Sequence, residues 1–184
     1  SSKRYKNFIK ENDGDNKTGV GKYDANVGKL TLGWGRNKLN HPYWPTKGYM
    51  TKFNSDFTIP GSDLEYYKFN FNNKFFIPVA EKSTIMLSGN IGYADSYGKT
   101  KDLTFFESYG GGGLSSVRGY ESNTLGPKVY DVDGSVVHYG GNYMASGSVE
   151  FQTPVPFIKD SSNVRLSAFV DAASVWDNKT YSAA

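Results

Sequence analysis

The chain has 184 residues and a formal net charge of +3, from 21 basic and 18 acidic side chains. Aromatic residues make up 16% of it, glycine occurs 21 times and cysteine is absent. The length suffices for one domain, and the aromatic content excludes a disordered chain. The lack of cysteine excludes disulfides and thiolate chemistry, and the mild, dispersed charge argues against nucleic-acid binding.

Apolar and polar residues alternate with period two along most of the chain, which predicts an all-β fold. Six segments show this pattern, at 30–35, 49–59, 67–77, 84–93, 142–155 and 164–172. Residues 1–27 are polar and predict only a partial strand, within 1–10, and a loop. Short turns join most segments, so we expect an antiparallel meander, interrupted by one long irregular loop at 96–141.

The segments are too long for an ordinary soluble sheet. Soluble strands average roughly 5–6 residues, whereas a tilted strand that crosses a bilayer needs about 9–11. Aromatic residues gather at the segment ends, at Tyr43, Trp44, Tyr49, Tyr66, Phe76, Tyr93, Tyr97, Phe157 and Trp176. Outer-membrane barrels have such aromatic girdles. The pattern therefore favours a transmembrane β-barrel, and the alternative is a soluble β-sandwich whose apolar face is its core.

A barrel reading assigns each connection to one side of the membrane. Periplasmic turns are short and external loops are longer, so the 96–141 loop is expected outside. Alternation then puts 60–65 and 177–184 on the external side as well, and 40–48, 78–83 and 156–163 on the periplasmic side.

Two carboxylates fall on the polar faces of the last two segments. Glu150 shares a face with Ser148 and Gln152, and Asp171 shares one with Arg165. If the apolar faces meet lipid, both carboxylates point into the barrel lumen, where they need a cation. Arg118 in the long loop is a candidate, because its planar fork can engage two carboxylates. The residues alone leave a second possibility open, in which all of these groups are simply solvated.

Enzymatic interpretations of the same residues are weak. Two carboxylates are the minimum for a glycosidase, but nothing in the sequence positions them for that reaction. Neither His41 nor His138 falls in a recognisable hydrolase arrangement, and two separated histidines make a metal site improbable. We therefore predict no catalytic residue, no metal and no cofactor.

Several stretches taken in order resemble the BamA family, the insertase subunit of the outer-membrane β-barrel assembly machinery. They include YWPTKG at 43–48, TIPGS at 58–62, VRGYESNTLGPK at 117–128, SVEFQTP at 148–154 and the segment 171–177. The resemblance covers residues 28–178, and 1–27 match poorly.

In this family the sixth external loop folds into the lumen, and its signature arginine contacts acidic residues on the two strands that follow. The resemblance carries that role to the motif Val117, Arg118, Gly119 and Tyr120, with Glu150 and Asp171 as partners. It implies that this cluster anchors the loop and holds the shape of the barrel. No bond chemistry is implied.

The family inserts and folds outer-membrane proteins without ATP or a cofactor. The resemblance therefore implies a bacterial outer-membrane location, contact with lipid and with unfolded outer-membrane clients, and assembly lipoproteins bound through N-terminal domains. Sister branches, an autotransporter assembly factor or a two-partner secretion pore, are the nearest alternatives. A soluble ligand-binding β-domain is an alternative of another class.

The family's barrel has sixteen strands, and this chain matches about strands eight to thirteen with part of seven. We therefore expect a barrel fragment, with residues 1–27 as partial strand and loop and 28–184 as transmembrane wall with the lumen loop. An open sheet leaves two unpaired edges, which are costly in lipid and aggregation-prone in water. We expect such a chain either to associate with copies of itself through those edges or to recruit residues 1–10 as an extra strand. A closed monomeric barrel of eight strands is the next alternative.

Overall fold

The structure, a computed structural model, describes residues 26–104, 106–114, 116–130, 136–155 and 164–177. The predictions for a strand within 1–10 and for the periplasmic turn 156–163 lie outside the described residues, as does most of the predicted external segment 177–184. No helix in the described ranges is long and apolar enough to cross a membrane.

Strands dominate the described part of the chain. Their bounds are β1 Lys29–Asn37, β2 Gly48–Thr58, β3 Tyr66–Pro78, β4 Thr84–Ser96, β5 Lys128–Tyr130, β6 Val136–His138, β7 Tyr143–Pro154 and β8 Arg165–Trp176. The six long strands form one sheet in the order β1-β2-β3-β4-β7-β8, and every neighbouring pair is antiparallel. The predicted all-β meander is confirmed, and each of the six predicted segments overlaps one long strand.

The long loop is more ordered than the sequence predicts. It runs from 97 to 142 and contains the hairpin of β5 and β6, which pair Lys128 with His138. The expectation of an irregular stretch is wrong at this point. Strands of three residues carry too little alternation to be recognised against the surrounding polar sequence.

The apolar side of the sheet has no protein cover among the described residues. Large side chains along it are more than half exposed, among them Leu30, Leu32, Trp34, Ile91, Val149 and Val170. A soluble β-sandwich would bury this face in its core, whereas a membrane barrel turns it toward lipid. We call this the outer face, and the opposite, polar side the lumen face.

Aromatic rings form a ladder across the outer face at the strand ends that adjoin the long loop. The Tyr67 and Tyr93 ring centroids are 5.8 Å apart, those of Tyr93 and Tyr143 4.7 Å, and those of Tyr143 and Trp176 5.5 Å. The ladder thus crosses β3, β4, β7 and β8 at one level. Such a row is typical of the girdle that barrels place at the membrane interface.

A small apolar core lies on the lumen side, near the strand ends that adjoin the long loop. Its buried members come from the strand ends, the 59–65 turn and the long loop: Leu64, Tyr66, Ala94, Leu103, Tyr109 and Val175. The loop therefore covers the upper lumen face and buries apolar surface there. Burial of that kind is the main favourable contribution to folding.

Glu65 ties the turn between β2 and β3 to the start of the long loop. Its carboxylate accepts hydrogen bonds from the backbone N–H groups of Gly61 and Lys99, both at 2.6 Å. The backbone N–H of Glu65 donates a hydrogen bond to the hydroxyl oxygen of Thr100 at 2.8 Å. The backbone N–H groups of Gly61 and Lys99 lower the pKa of Glu65, so the clamp stays ionised at neutral pH.

The sheet is curved, and its first and last strands approach each other at the end opposite the long loop. The turn after β1 reaches β8, where Arg165 Nη2 lies 3.5 Å from the carbonyl oxygen of Trp44. The Arg165 guanidinium carbon also lies 5.1 Å from the Trp44 ring centroid. A cavity of about 490 Å³ remains at this end of the lumen face.

Because the outer face is uncovered, a lysine introduced there should reduce stability in lipid more than a lysine introduced on the lumen face. Ile91 is 61% exposed on the outer face of β4, and its neighbour Asn90 points to the lumen face. Ile91→Lys should destabilise the folded protein by about 2–4 kcal/mol in lipid vesicles, the cost of lysine near the bilayer midplane. Asn90→Lys is the matched control and should cost clearly less. Urea titration in vesicles measures both, and equal costs would contradict the assignment of the faces.

Candidate functional site

The strands β7 and β8 build a patch of four side chains on the lumen face. Their register pairs Ser148 with Asp171 and Glu150 with Phe169. Side chains on alternate residues of a strand point to the same face, so these two cross-strand pairs lie side by side. The patch holds two carboxylates, one hydroxyl and one aromatic ring.

Arg118 of the long loop binds this patch with its whole guanidinium group. Nε donates to Asp171 Oδ2 and Nη2 to Asp171 Oδ1, both at 2.8 Å. Nη1 donates to Glu150 Oε2, and Nη2 also donates to Ser148 Oγ at 2.9 Å. Such a two-pronged arginine–carboxylate contact is both strong and directional.

The backbone and an aromatic ring add to the same contact. The N–H of Arg118 donates to Asp171 Oδ2 at 2.9 Å, which fixes the main chain of the loop and not only its side chain. The guanidinium carbon lies 3.4 Å from the centroid of the Phe169 ring. The ring face is negative, so it attracts the cation that stacks on it.

A tight turn presents Arg118 to the wall. Gly113 and Val117 form a β-bridge, and the N–H of Gly112 donates to Ser116 Oγ at 2.7 Å. Gly119 has a φ of 90°, a conformation that residues with a Cβ rarely adopt. The chain can therefore reverse directly after the arginine.

The other motif residues differ in their surroundings. Val117 is 5% exposed and lies next to the arginine in sequence. Tyr120 is 58% exposed, and its backbone carbonyl accepts the N–H of Gly113. The motif thus contributes a buried residue, a cation and a glycine turn, and its tyrosine ring is largely uncovered.

The charges in the cluster are mostly withdrawn from solvent. The side chains of Glu150 and Asp171 are 9% and 4% exposed, and that of Arg118 is 24% exposed. Gln152 Nε2 donates to the second carboxylate oxygen of Glu150, Oε1, at 2.9 Å. Hydrogen bonding to Asp171, with help from Glu150, raises the pKa of Arg118 above its already high ordinary value. The guanidinium is therefore permanently charged and fully engaged, which suits holding and not proton transfer.

Metal-binding residues do not gather in the described ranges. No three histidine, acidic or cysteine side chains there lie close enough to hold a metal ion. His41 has a local structural role, since its Nδ1 accepts the N–H groups of Tyr43 and Trp44 at 3.2 and 2.9 Å. His138 lies in β6, in the long loop.

The structure brings Arg118 into contact with Glu150 and Asp171. Parity predicted only that the two carboxylates share a face, and the resemblance implied their contact with the arginine. The sequence did not identify three further residues of the cluster. Ser148 and Phe169 contact Arg118, and Gln152 contacts Glu150. Each shares the lumen face with a carboxylate, so alternation contains their signal. The strand register, which decides that Phe169 lies opposite Glu150, was not available from alternation alone.

Residues 2–184 match the Omp85 superfamily domain. This chain belongs to the Omp85 superfamily. The resemblance to BamA and the outer-membrane location, both stated from the sequence, are confirmed. Two relatives of the chain are named as outer membrane protein assembly factors.

Two curated relatives and one known structure define its place within the Omp85 superfamily. The outer membrane protein assembly factor BamA of Neisseria meningitidis serogroup B is 50% identical over 97% of this chain and 22% of its own length. BamA of Neorickettsia risticii is 27% identical over 65% of this chain and 15% of its own length. The chain thus spans about a fifth of the length of these relatives.

The fold agrees with a crystallised relative. The crystal structure of BamA from Haemophilus ducreyi lacking POTRA domains 1–3 superposes with a TM-score of 0.74 and 38% identity. The match covers 81% of this chain and 30% of that one. It supports a segment of barrel wall, because the aligned region is part of a longer chain.

The geometry predicts that variants which remove the charged groups lose unequal amounts of folding stability, and that these losses are coupled. Asp171 accepts three hydrogen bonds from Arg118 and Glu150 accepts one, so Asp171→Asn should destabilise more than Glu150→Gln. Breaking a buried ion pair costs roughly 3–5 kcal/mol, and the partly exposed arginine should bring the loss for Arg118→Gln to the low end of that range.

Coupling is the sharper test of this contact. The double variant Arg118→Gln/Asp171→Asn should lose less stability than the sum of the single variants, because both remove one interaction. Unfolding by urea in detergent micelles measures all three. Strictly additive losses would show that the two side chains do not act together.

Proposed function

We propose that this chain is part of the barrel wall, together with the lumen loop, of a bacterial outer-membrane protein assembly and insertion factor. In that role it contacts lipid with its outer face and unfolded outer-membrane proteins as clients. Assembly lipoproteins would bind through N-terminal domains of the longer protein. The activity is mechanical support and insertion, and it uses neither ATP nor a cofactor.

One observation carries the proposal. The chain is 50% identical over 97% of its length to a protein named as an outer membrane protein assembly factor. The uncovered apolar outer face supports the membrane location. A soluble ligand-binding domain would need that face buried, so we do not favour it.

The residues 117–120 and their carboxylate partners take a defined part in this proposal. Arg118 links the loop to β7 and β8 at once. A loop held to two neighbouring strands stiffens the wall and occupies the lumen. We infer that Glu150 and Asp171 serve as its fixed receptors, and that Val117 and Gly119 set the direction from which the arginine arrives.

The sister branches of the superfamily remain second candidates. The family match describes the Omp85 superfamily as a whole, and an autotransporter assembly factor or a two-partner secretion pore would share the wall and the loop. The relatives named here are both BamA, which favours the general assembly factor.

A chimera tests the function. This chain would replace the corresponding segment of the Neisseria assembly factor in cells depleted of the native protein. We expect the chimera to restore growth and the assembly of other outer-membrane barrels, whereas the chimera with Arg118→Ala should restore both only in part. Barrel assembly is read as heat-modifiable mobility of client porins on gels.

The controls separate function from folding. The chimera itself must show heat-modifiable mobility. Lys52→Gln removes an exposed cation from the lumen face of β2, which β3 and β4 separate from β7, and should behave like the parent chimera. A folded chimera that leaves clients unassembled would contradict the proposal. Support of autotransporter assembly alone would favour the sister branch.

We further propose that the isolated chain associates with itself. Within the described residues β1 pairs only with β2 and β8 only with β7, and every residue of β1 is exposed. Unpaired strand edges are costly in a membrane. Light-scattering mass and circular dichroism should show a β-rich multimer of defined size in detergent. A β-rich monomer in plain buffer would contradict both self-association and the membrane reading of this chain.

A further inference from the structure

A second charged contact joins the long loop to a different part of the wall. Lys68 lies on the lumen face of β3, and its Nζ donates to the backbone carbonyl of Glu107 at 3.0 Å. The same nitrogen lies 3.8 Å from Glu107 Oε2. The side chains are 19% and 27% exposed, so the pair is largely shielded from water and weakly screened.

Tyr109, two residues further along the loop, completes this contact. Its ring centroid lies 4.6 Å from Lys68 Nζ. Its hydroxyl lies 2.8 Å from both the carbonyl oxygen of Phe69 and Oδ1 of Asn70. Burial raises the pKa of Tyr109, so the hydroxyl keeps the proton that it donates.

The wall is shaped to receive the tyrosine ring. Gly92 on β4 lies opposite Asn70 in the strand register. A Cβ at Gly92 would stand 2.6 Å from two carbon atoms of the Tyr109 ring. Real atoms do not approach so closely, so glycine at this position makes the seat for the ring.

The loop is closed at the same place. Tyr109 and Gly141 exchange backbone hydrogen bonds of 2.9 and 2.8 Å. The outgoing and returning arms of the loop are therefore paired where the tyrosine meets the wall. Movement of Tyr109 would move both arms.

The two contacts differ in wall position and chemistry. Arg118 binds carboxylates on β7 and β8, whereas Glu107 and Tyr109 bind a lysine, an amide and a glycine seat on β3 and β4. In the first the loop supplies the cation, and in the second the wall supplies it. A loop held at one point can pivot, but one held at two separate points has a fixed orientation.

We propose that Lys68, Glu107 and Tyr109 form a second anchor, which positions the root of the loop independently of Arg118. These are positioning residues, because they set the orientation from which the tip at Arg118 meets its carboxylates. Loss of the Arg118 contact then releases the tip and leaves the root seated in the lumen.

Single introduced cysteines can report on each anchor separately, because the chain has no cysteine of its own. Thr104→Cys supplies the root thiol: Thr104 is 8% exposed, and its carbonyl accepts the N–H of Glu107 at 3.0 Å. Val117→Cys supplies the tip thiol, since Val117 is 5% exposed beside Arg118. The experiment measures the rate of maleimide modification in the outer-membrane protein that carries this chain, with any cysteine outside the chain replaced by serine, folded in detergent micelles.

Lys68→Gln and Glu107→Gln should each make the root thiol react about tenfold faster or more, because local opening controls access to a buried thiol. The reaction rate of the tip thiol should change less in these variants. Arg118→Gln should give the reverse pattern, with the tip thiol exposed and the root thiol still protected. Lys68→Arg keeps the cation beside Glu107 and Tyr109 and should keep the root thiol protected. Lys68→Met keeps the length of the side chain without its charge and should expose the root thiol as Lys68→Gln does, which a purely steric role of Lys68 would not allow.

Two controls accompany these measurements. Lys52→Gln removes an exposed cation from the same face of the neighbouring strand β2, where Lys52 lies opposite Asn72 of β3, and should leave both rates unchanged. Heat-modifiable mobility confirms that each variant is folded. Unchanged protection of the root thiol in Lys68→Gln and Glu107→Gln, or equal exposure of both thiols in every variant, would overturn the second anchor. Either result would leave the proposed assembly function to be judged by the chimera.

Discussion

The contact of one guanidinium with two carboxylates on neighbouring strands connects the loop to the wall. Arg118 meets Asp171 with two side-chain nitrogens and its backbone N–H, and it meets Glu150 with a third side-chain nitrogen. The carboxylates sit on a wall whose other face is apolar, so they cannot turn outward. A cation must come to them, and the loop brings it.

The loop compensates for the polarity of the lumen face more widely. Its apolar residues Leu103 and Tyr109 complete the small core at the adjoining strand ends, and Glu107 offsets the charge of Lys68. A wall of this kind without its loop would leave ionic groups and apolar side chains uncovered on the same surface. The loop is thus a structural part of the barrel as much as a connection between strands.

The alternation of side chains between the two faces of a strand explains how much of the site could be predicted from the sequence. Alternation placed Glu150 and Asp171 on the lumen side as soon as Val149 and Val170 were assigned to lipid, and strand length favoured a membrane barrel over a sandwich. It could not choose between a bound and a solvated arginine, because a loop of about 46 residues can place Arg118 in many positions. The resemblance to BamA supplied that choice.

The sequence by itself determined the all-β class, the six long strands, the face of each side chain and the membership of the superfamily, because these follow from local periodicity and from short motifs. The tertiary structure decided which residues of neighbouring strands, and of the loop and the wall, contact each other. Register put Phe169 under the guanidinium and Gly92 under the Tyr109 ring, and folding of the loop brought Glu107 to Lys68. These contacts join residues far apart in the chain, and no local pattern encodes such a pairing.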